Sequence, residues 1–125
     1  MDIKHYTHND PELLSLIVEY LGNPEWQKEH DMPLMRYPSK VFHLLFDNDV
    51  FVAMFSTNKT VIGDCHTKEE HRGKGYMTYL LTHSEFKPGA YAMTRSDHMA
   101  HILESIGFEA AGNNGRFTKY RKAQL

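Results

Sequence analysis

The 125-residue chain has a single cysteine, Cys65, so it can form neither an internal disulfide nor a four-cysteine metal site. No apolar run approaches the roughly 20 residues that cross a bilayer. Met1-Asp2-Ile3-Lys4 is not followed by the apolar core of a signal peptide. Charge of one sign is also missing. The 14 Lys and Arg stand against 16 Asp and Glu, a formal −2, which argues against a sequence-independent nucleic-acid binder. No repeat is visible, and five Pro and eight Gly are too few for a low-complexity chain. What remains is 41% hydrophobic, with seven Phe, seven Tyr and one Trp, enough for a core. The expectation is one domain over residues 1–125, soluble and cytoplasmic, with no membrane partner. Nine histidines are scattered along it and add positive charge only below about pH 6.5.

Hydrophobic periodicity places the elements. Ile3 to Tyr6 reads as a first strand. Asp10-Pro11-Glu12 is an N-cap, a first-turn proline and a dipole-matched acid. Leu13, Leu14, Ile17, Val18 and Leu21 form the apolar face of that helix, and Gly22 ends it. Pro24, Pro33 and Pro38 make residues 23–39 a loop, with one helical turn after Asn23-Pro24 that contains Trp26. Three β-rich runs follow, Val41–Phe46, Val50–Phe55 and Thr60–Thr67, separated by tight turns. Their continuous apolar character predicts a sheet covered on both faces. A helix is predicted over Tyr76–Phe86, a short strand over Ala90–Met93, and a helix capped by Ser96 or Asp97 with Met99, Ile102, Leu103 and Ile106 inward. A hairpin closes the chain, Phe108–Ala111 and Phe117–Arg121 around a turn at Gly112–Gly115. The expected order is β-α-β-β-β-α-β-α-β-β, a mixed α/β sheet.

The segment with chemical content is Glu70-His71-Arg72-Gly73-Lys74-Gly75-Tyr76-Met77, at a strand-to-helix turn. Free amides, glycines that allow close approach, and two cations suit a phosphate or pyrophosphate. A glycine turn with ordinary solvated charges is the plain alternative. The P-loop pattern fails, because Tyr76-Met77 follows the second glycine instead of Lys and Ser or Thr. A dinucleotide fingerprint lacks its third glycine. Arg72–Tyr79 also approximates the signature strand of RNA-recognition domains, with Lys74 at the first stacking position. That reading requires a strand where the pattern favours a helix.

Residues 70–75 resemble the phosphate-binding turn of the GNAT acyl-CoA N-acetyltransferases, Gln/Arg-x-x-Gly-x-Gly/Ala, with Glu70 in the first position. Ser96–Phe108 resembles the family's later segment, ending in Gly107-Phe108, and the element order agrees along nearly the whole chain. The resemblance implies a mostly antiparallel central sheet flanked by helices. It implies acetyl transfer from acetyl-CoA to a primary amine of a small molecule, peptide or protein, without a metal, and pairing of some relatives as homodimers. Backbone groups near His66 and Thr67 would hold the pantetheine arm. Amides of Arg72, Gly73, Lys74, Gly75, Tyr76 and Met77 would hold the pyrophosphate, and Ser96 would reach the pantetheine. A catalytically quiet acetyl-CoA-binding module is the alternative.

Catalysis needs a neutral amine and a polarised thioester carbonyl. Asp64 and His66 share one face of their strand and are the candidate catalytic pair, with Glu69 and Glu70 nearby to act through water. A histidine hydrogen-bonded at a strand end is the plain reading of His66. Many relatives carry a Tyr about four residues before Gly-Phe as the acid for the thiolate, whereas this chain has Leu103 there, leaving Tyr120, Tyr91, Tyr79 or solvent. Cys65 reads as a buried apolar residue, and His98 and His101 as a solvated helix face. Trp26 and Tyr37 suit either an acceptor-site wall or core anchoring.

Overall fold

The first helix starts where its chemistry dictates. The Asp10 carboxylate accepts the Glu12 N–H at 2.9 Å, with Pro11 behind it. In the computed structural model, which describes residues 1–123, the elements run β1 (Asp2–Thr7), α1 (Pro11–Ile17), α2 (Pro24–His30), β2 (Lys40–Asp47), β3 (Val50–Asn58), β4 (Val61–Thr67), α3 (Tyr76–Thr82), β5 (Tyr91–Thr94), α4 (Asp97–Ser105), β6 (Phe108–Asn114) and β7 (Phe117–Lys122). They form a seven-stranded sheet in the order β1-β2-β3-β4-β5-β7-β6, antiparallel except where β4 meets β5. This is the mixed α/β sheet that the element pattern predicts, mostly antiparallel as the resemblance implies.

Both faces of the sheet are covered. On one, Leu45, Val52, Phe55 and Ile62 pack on α3 and α4 through Met77, Leu80, Leu81, Ile102 and Leu103. On the other, Phe42, Leu44 and Met54 pack on α1 and α2 through Leu13, Ile17 and Trp26. Consecutive residues of β2 and β3 therefore serve different cores, which explains their unbroken apolar runs.

Four expectations change. Residues 24–30 form a two-turn helix rather than one turn, because Asn23 Oδ1 caps two amides, Glu25 N–H at 2.8 Å and Trp26 N–H at 3.4 Å. Val18 is 63% exposed, because the chain tightens to a 3-10 turn over Val18–Tyr20 and rotates it off the apolar face. The third helix stops at Thr82 instead of Phe86, and Phe86 turns back onto Phe108. The last hairpin turns at Gly115-Arg116, with a bulge between Ala110 and Asn113 absorbing the Gly112 region. Residues 76–82 being helical also removes the stacking strand that RNA recognition required.

One histidine pair couples this sheet to pH. His5 and His43 sit opposite each other on β1 and β2, their Nδ1 atoms 2.7 Å apart, and His43 also meets Thr57 Oγ1 at 2.8 Å and stacks on Phe55. Burial first, then His5, holds the His43 pKa down at about 4. A depressed folded-state pKa contributes stability above the ordinary value of 6.5 that is lost as pH falls toward 4. Urea unfolding at about pH 7 and about pH 4.5 should therefore show an acid loss of which His43→Gln removes about 1–2 kcal/mol, after discounting for partial exposure. An equal acid loss in the variant would contradict this.

Candidate functional site

The site begins with a defect in β4. Its register to β3 shifts between Ser56↔Gly63 and Met54↔His66, and Asp64 takes the left-handed conformation, φ 52°. That conformation costs an ordinary residue about 1–2 kcal/mol. It is held by a buried network: Asp64 Oδ2 accepts from Ser56 Oγ at 2.7 Å and pairs with Lys40 Nζ at 2.5 Å, and Lys40 Nζ also donates to Met35 O at 2.9 Å. Beyond the bulge, β4 and β5 separate. They pair only at Val61↔Tyr91 and Ile62↔Ala92, so β4 runs on to Thr67 with a free edge. Lys68 N–H bonds to Val52 O of β3 at 2.9 Å, and strand alternation then aims Thr67 at that free edge.

The turn after β4 holds Gly73 and Gly75 at φ 80° and 78°. A Cβ built on either would meet nothing within 4 Å, and residues 72–75 are exposed. Tyr79 N–H bonds Gly75 O at 3.0 Å, and the amides of 73–78 before it have no partner among the described residues. The Tyr76 hydroxyl, donating to Asp47 Oδ2 at 2.5 Å, fixes the start of α3 against the end of β2. Such successive free amides form a concave anion-binding surface.

Arg72 does not join that surface. Its amide bonds Glu69 O at 3.3 Å, and its guanidinium donates to Thr67 O and Glu29 Oε1, each at 2.9 Å. The free series starts at Gly73. Lys74 is exposed beside it.

His66 lies in an aromatic chamber beneath α2, 7% exposed. Its ring is 4.9 Å from Tyr20 and 4.6 Å from Trp26, and its Nδ1 is 3.2 Å from His30 Nε2. Burial first, then His30, Arg72 and Lys68, lowers its pKa to about 3, so the imidazole is neutral at physiological pH. Burial also lowers His30, although Glu29 and Asp64 oppose it. The C-terminal end of α2 is strapped across the sheet: Asp31 pairs with Arg95, just after β5, and with Arg116 in the β6–β7 turn at 2.7 Å. Together with Glu29–Arg72, these pairs draw α2 over the separated strands.

The structure thus places His66, Thr67 and the 73–77 turn along one strand end. Asp64 and His66 lie on the side of the sheet covered by α1 and α2, but Asp64 is committed to Lys40 and Ser56, while the polar partner of His66 is His30. Ser96 serves as a helix cap, its Oγ accepting Met99 N–H at 3.2 Å. Leu103 is fully buried in the core, so no hydroxyl stands there. Tyr91 sits at the joined end of the strands, Tyr79 stacks on His83, and the Tyr120 hydroxyl donates to Glu104 at 3.2 Å. Burial pushes the Cys65 thiol up to about 12, which suits a packing role and not a nucleophile. Trp26 is 3% exposed and anchors the chamber. His98 and His101 are exposed on α4. Sequence reasoning missed His30, Glu29 and Asp31, and their only signal was an acid–histidine–acid run at the end of a capped helix.

No family model matches this sequence, and no curated protein matches it. Solved structures do match its fold. A GNAT-family protein from Bacteroides thetaiotaomicron superposes with a TM-score of 0.73 at 13% identity, over 100% of this chain and 88% of the other. The aminoglycoside 6'-N-acetyltransferase from Enterococcus faecium gives 0.66 at 16% identity, over 98% and 96%. A streptothricin acetyltransferase from Bacillus anthracis, in complex with acetyl coenzyme A, gives 0.60 at 14% identity, over 85% and 72%. At these identities the likeness is one of architecture: seven strands parted between the fourth and fifth, with a glycine turn opening the following helix, give this chain the GNAT fold.

Proposed function

We propose that the chain transfers an acetyl group from acetyl-CoA to a primary amine of a small molecule, peptide or protein. The observation that carries this reading is the parting of β4 from β5 directly before the open glycine turn. The acetyl coenzyme A bound to the Bacillus anthracis neighbour and the aminoglycoside named for the Enterococcus faecium enzyme support it. The amides of 73–77 would hold the cofactor's diphosphate. The free edge of β4 at Thr67 would pair with the pantetheine arm, and its N–H groups would polarise the thioester carbonyl. For Thr67 O to take part, the Arg72 guanidinium must swing away, and the diphosphate offers it a stronger partner than Glu29 does.

The amine would approach from the α2 side, over His66. As its nitrogen bonds to the acetyl carbon it becomes far more acidic, and the neutral imidazole can then take its proton. The C–N bond forms, the C–S bond breaks, and the thiolate leaves protonated by solvent, since no tyrosine hydroxyl stands at the Leu103 position. A formal charge of −2 favours a cationic acceptor. The same buried Leu103 favours, as a second reading, a quiet acetyl-CoA-binding module. Purified protein incubated with acetyl-CoA and an amine panel separates the two. The transferase reading predicts amine-dependent release of free CoA thiol and a product heavier by one acetyl group. Tight acetyl-CoA binding without thiol release for any amine would leave only the module.

A further inference from the structure

We propose that Glu29, His30 and His66 form a binding site for a divalent transition-metal ion of the zinc class. One ligand atom from each residue lies within 4.8 Å of the other two. The two imidazole nitrogens are 3.2 Å apart, close to the edge of about 3.3 Å that two nitrogens at zinc–nitrogen distances span on a tetrahedron. As a hydrogen bond, that contact uses one lone pair and one N–H. With an ion present, the donating ring takes its other neutral tautomer, its proton moving to the nitrogen that faces away, and both facing nitrogens then turn lone pairs toward the ion. Burial disfavours the charged form of both rings. Two imidazoles and one carboxylate are a common zinc ligand set, with the fourth position left for water or a ligand.

The surroundings match what such a site requires. Trp26 stacks on His30 at 3.9 Å and Tyr20 packs edge-on against His66, so both rings are oriented before any ion arrives. Arg72 holds Glu29 through Oε1 at 2.9 Å, which fixes the carboxylate beside the two rings. Its charge, with that of Lys68, also opposes a second cation, so the affinity should fall short of a closed structural zinc site. An ion here takes the His66 lone pair and excludes an acceptor amine. That consequence rests on the transfer mechanism above, whereas the binding does not.

The test is a titration of the purified 125-residue protein with Co²⁺, followed by its visible d–d bands, with zinc competition. The site predicts one equivalent with the intense bands of a four-coordinate ion, displaced by Zn²⁺. His30→Gln should abolish the bands. Glu29→Gln, at an exposed side chain, should weaken binding about tenfold or more without unfolding the protein. His5→Gln/His43→Gln should retain the full signal, separating this site from the other close histidine pair. Bands that survive in His30→Gln, or are lost in the His5/His43 variant, would overturn the assignment. So would octahedral cobalt alone in the unaltered protein. Bands in the loaded protein, with no acetyl transfer to any amine by the metal-free protein, would uphold the site and count against the transferase reading.

Discussion

Gly75→Glu should abolish acetyl-CoA binding, lowering affinity at least a hundredfold, while the protein stays folded. The built Cβ at Gly75 meets nothing within 4 Å, so the new side chain has room, and it occupies the space where the diphosphate would lie. Two effects add. The φ of 78° costs a non-glycine residue about 1–2 kcal/mol, and the carboxylate sets a negative charge against two phosphates. Gly75→Ala separates them, since it carries the backbone strain without the charge. It should keep nearly all of the CoA affinity, because that strain is present with and without the cofactor and lowers folding stability instead. Calorimetric titration of both variants checks the pair. Equal, undiminished affinity in Gly75→Glu would place the cofactor elsewhere.

The second large effect is expected at His66. His66→Gln keeps a polar group facing His30 but removes the basic nitrogen, and should lower kcat about 10²–10³-fold. The KM for acetyl-CoA should change little, because the cofactor is assigned to backbone amides of the 73–77 turn. A positional role alone would raise KM for the amine and spare kcat, so the split between the two constants distinguishes proton transfer from packing. A variant with unaltered kcat would remove His66 from the chemistry.

How far the sequence reaches depends on how local each determinant is. The Asp10 and Ser96 caps, the glycine turn and the inward series of α4 depend on neighbouring residues, and each is found where the pattern places it. The bulge at Asp64 depends on Lys40 and Ser56, distant in sequence, and alternation along one strand gives no hint of it. His66 can be singled out by its place at a strand end. Its partner His30 lies 36 residues away on a helix whose length was underestimated, so their meeting is a product of packing alone. Arg72 shows the converse. It reads as a phosphate-facing cation by position, yet Glu29 from the second turn of that same helix draws its guanidinium away. The missing tyrosine at Leu103 is legible directly, and the core around it explains why an apolar residue is tolerated there.

Backbone amide NMR during an acetyl-CoA titration tests the central claim most directly. The account predicts saturable shifts that are largest at the amides of Gly73, Lys74, Gly75, Tyr76 and Met77, with smaller ones at Thr67. Shifts that leave these amides untouched at saturating acetyl-CoA, or that centre on another surface, would contradict it.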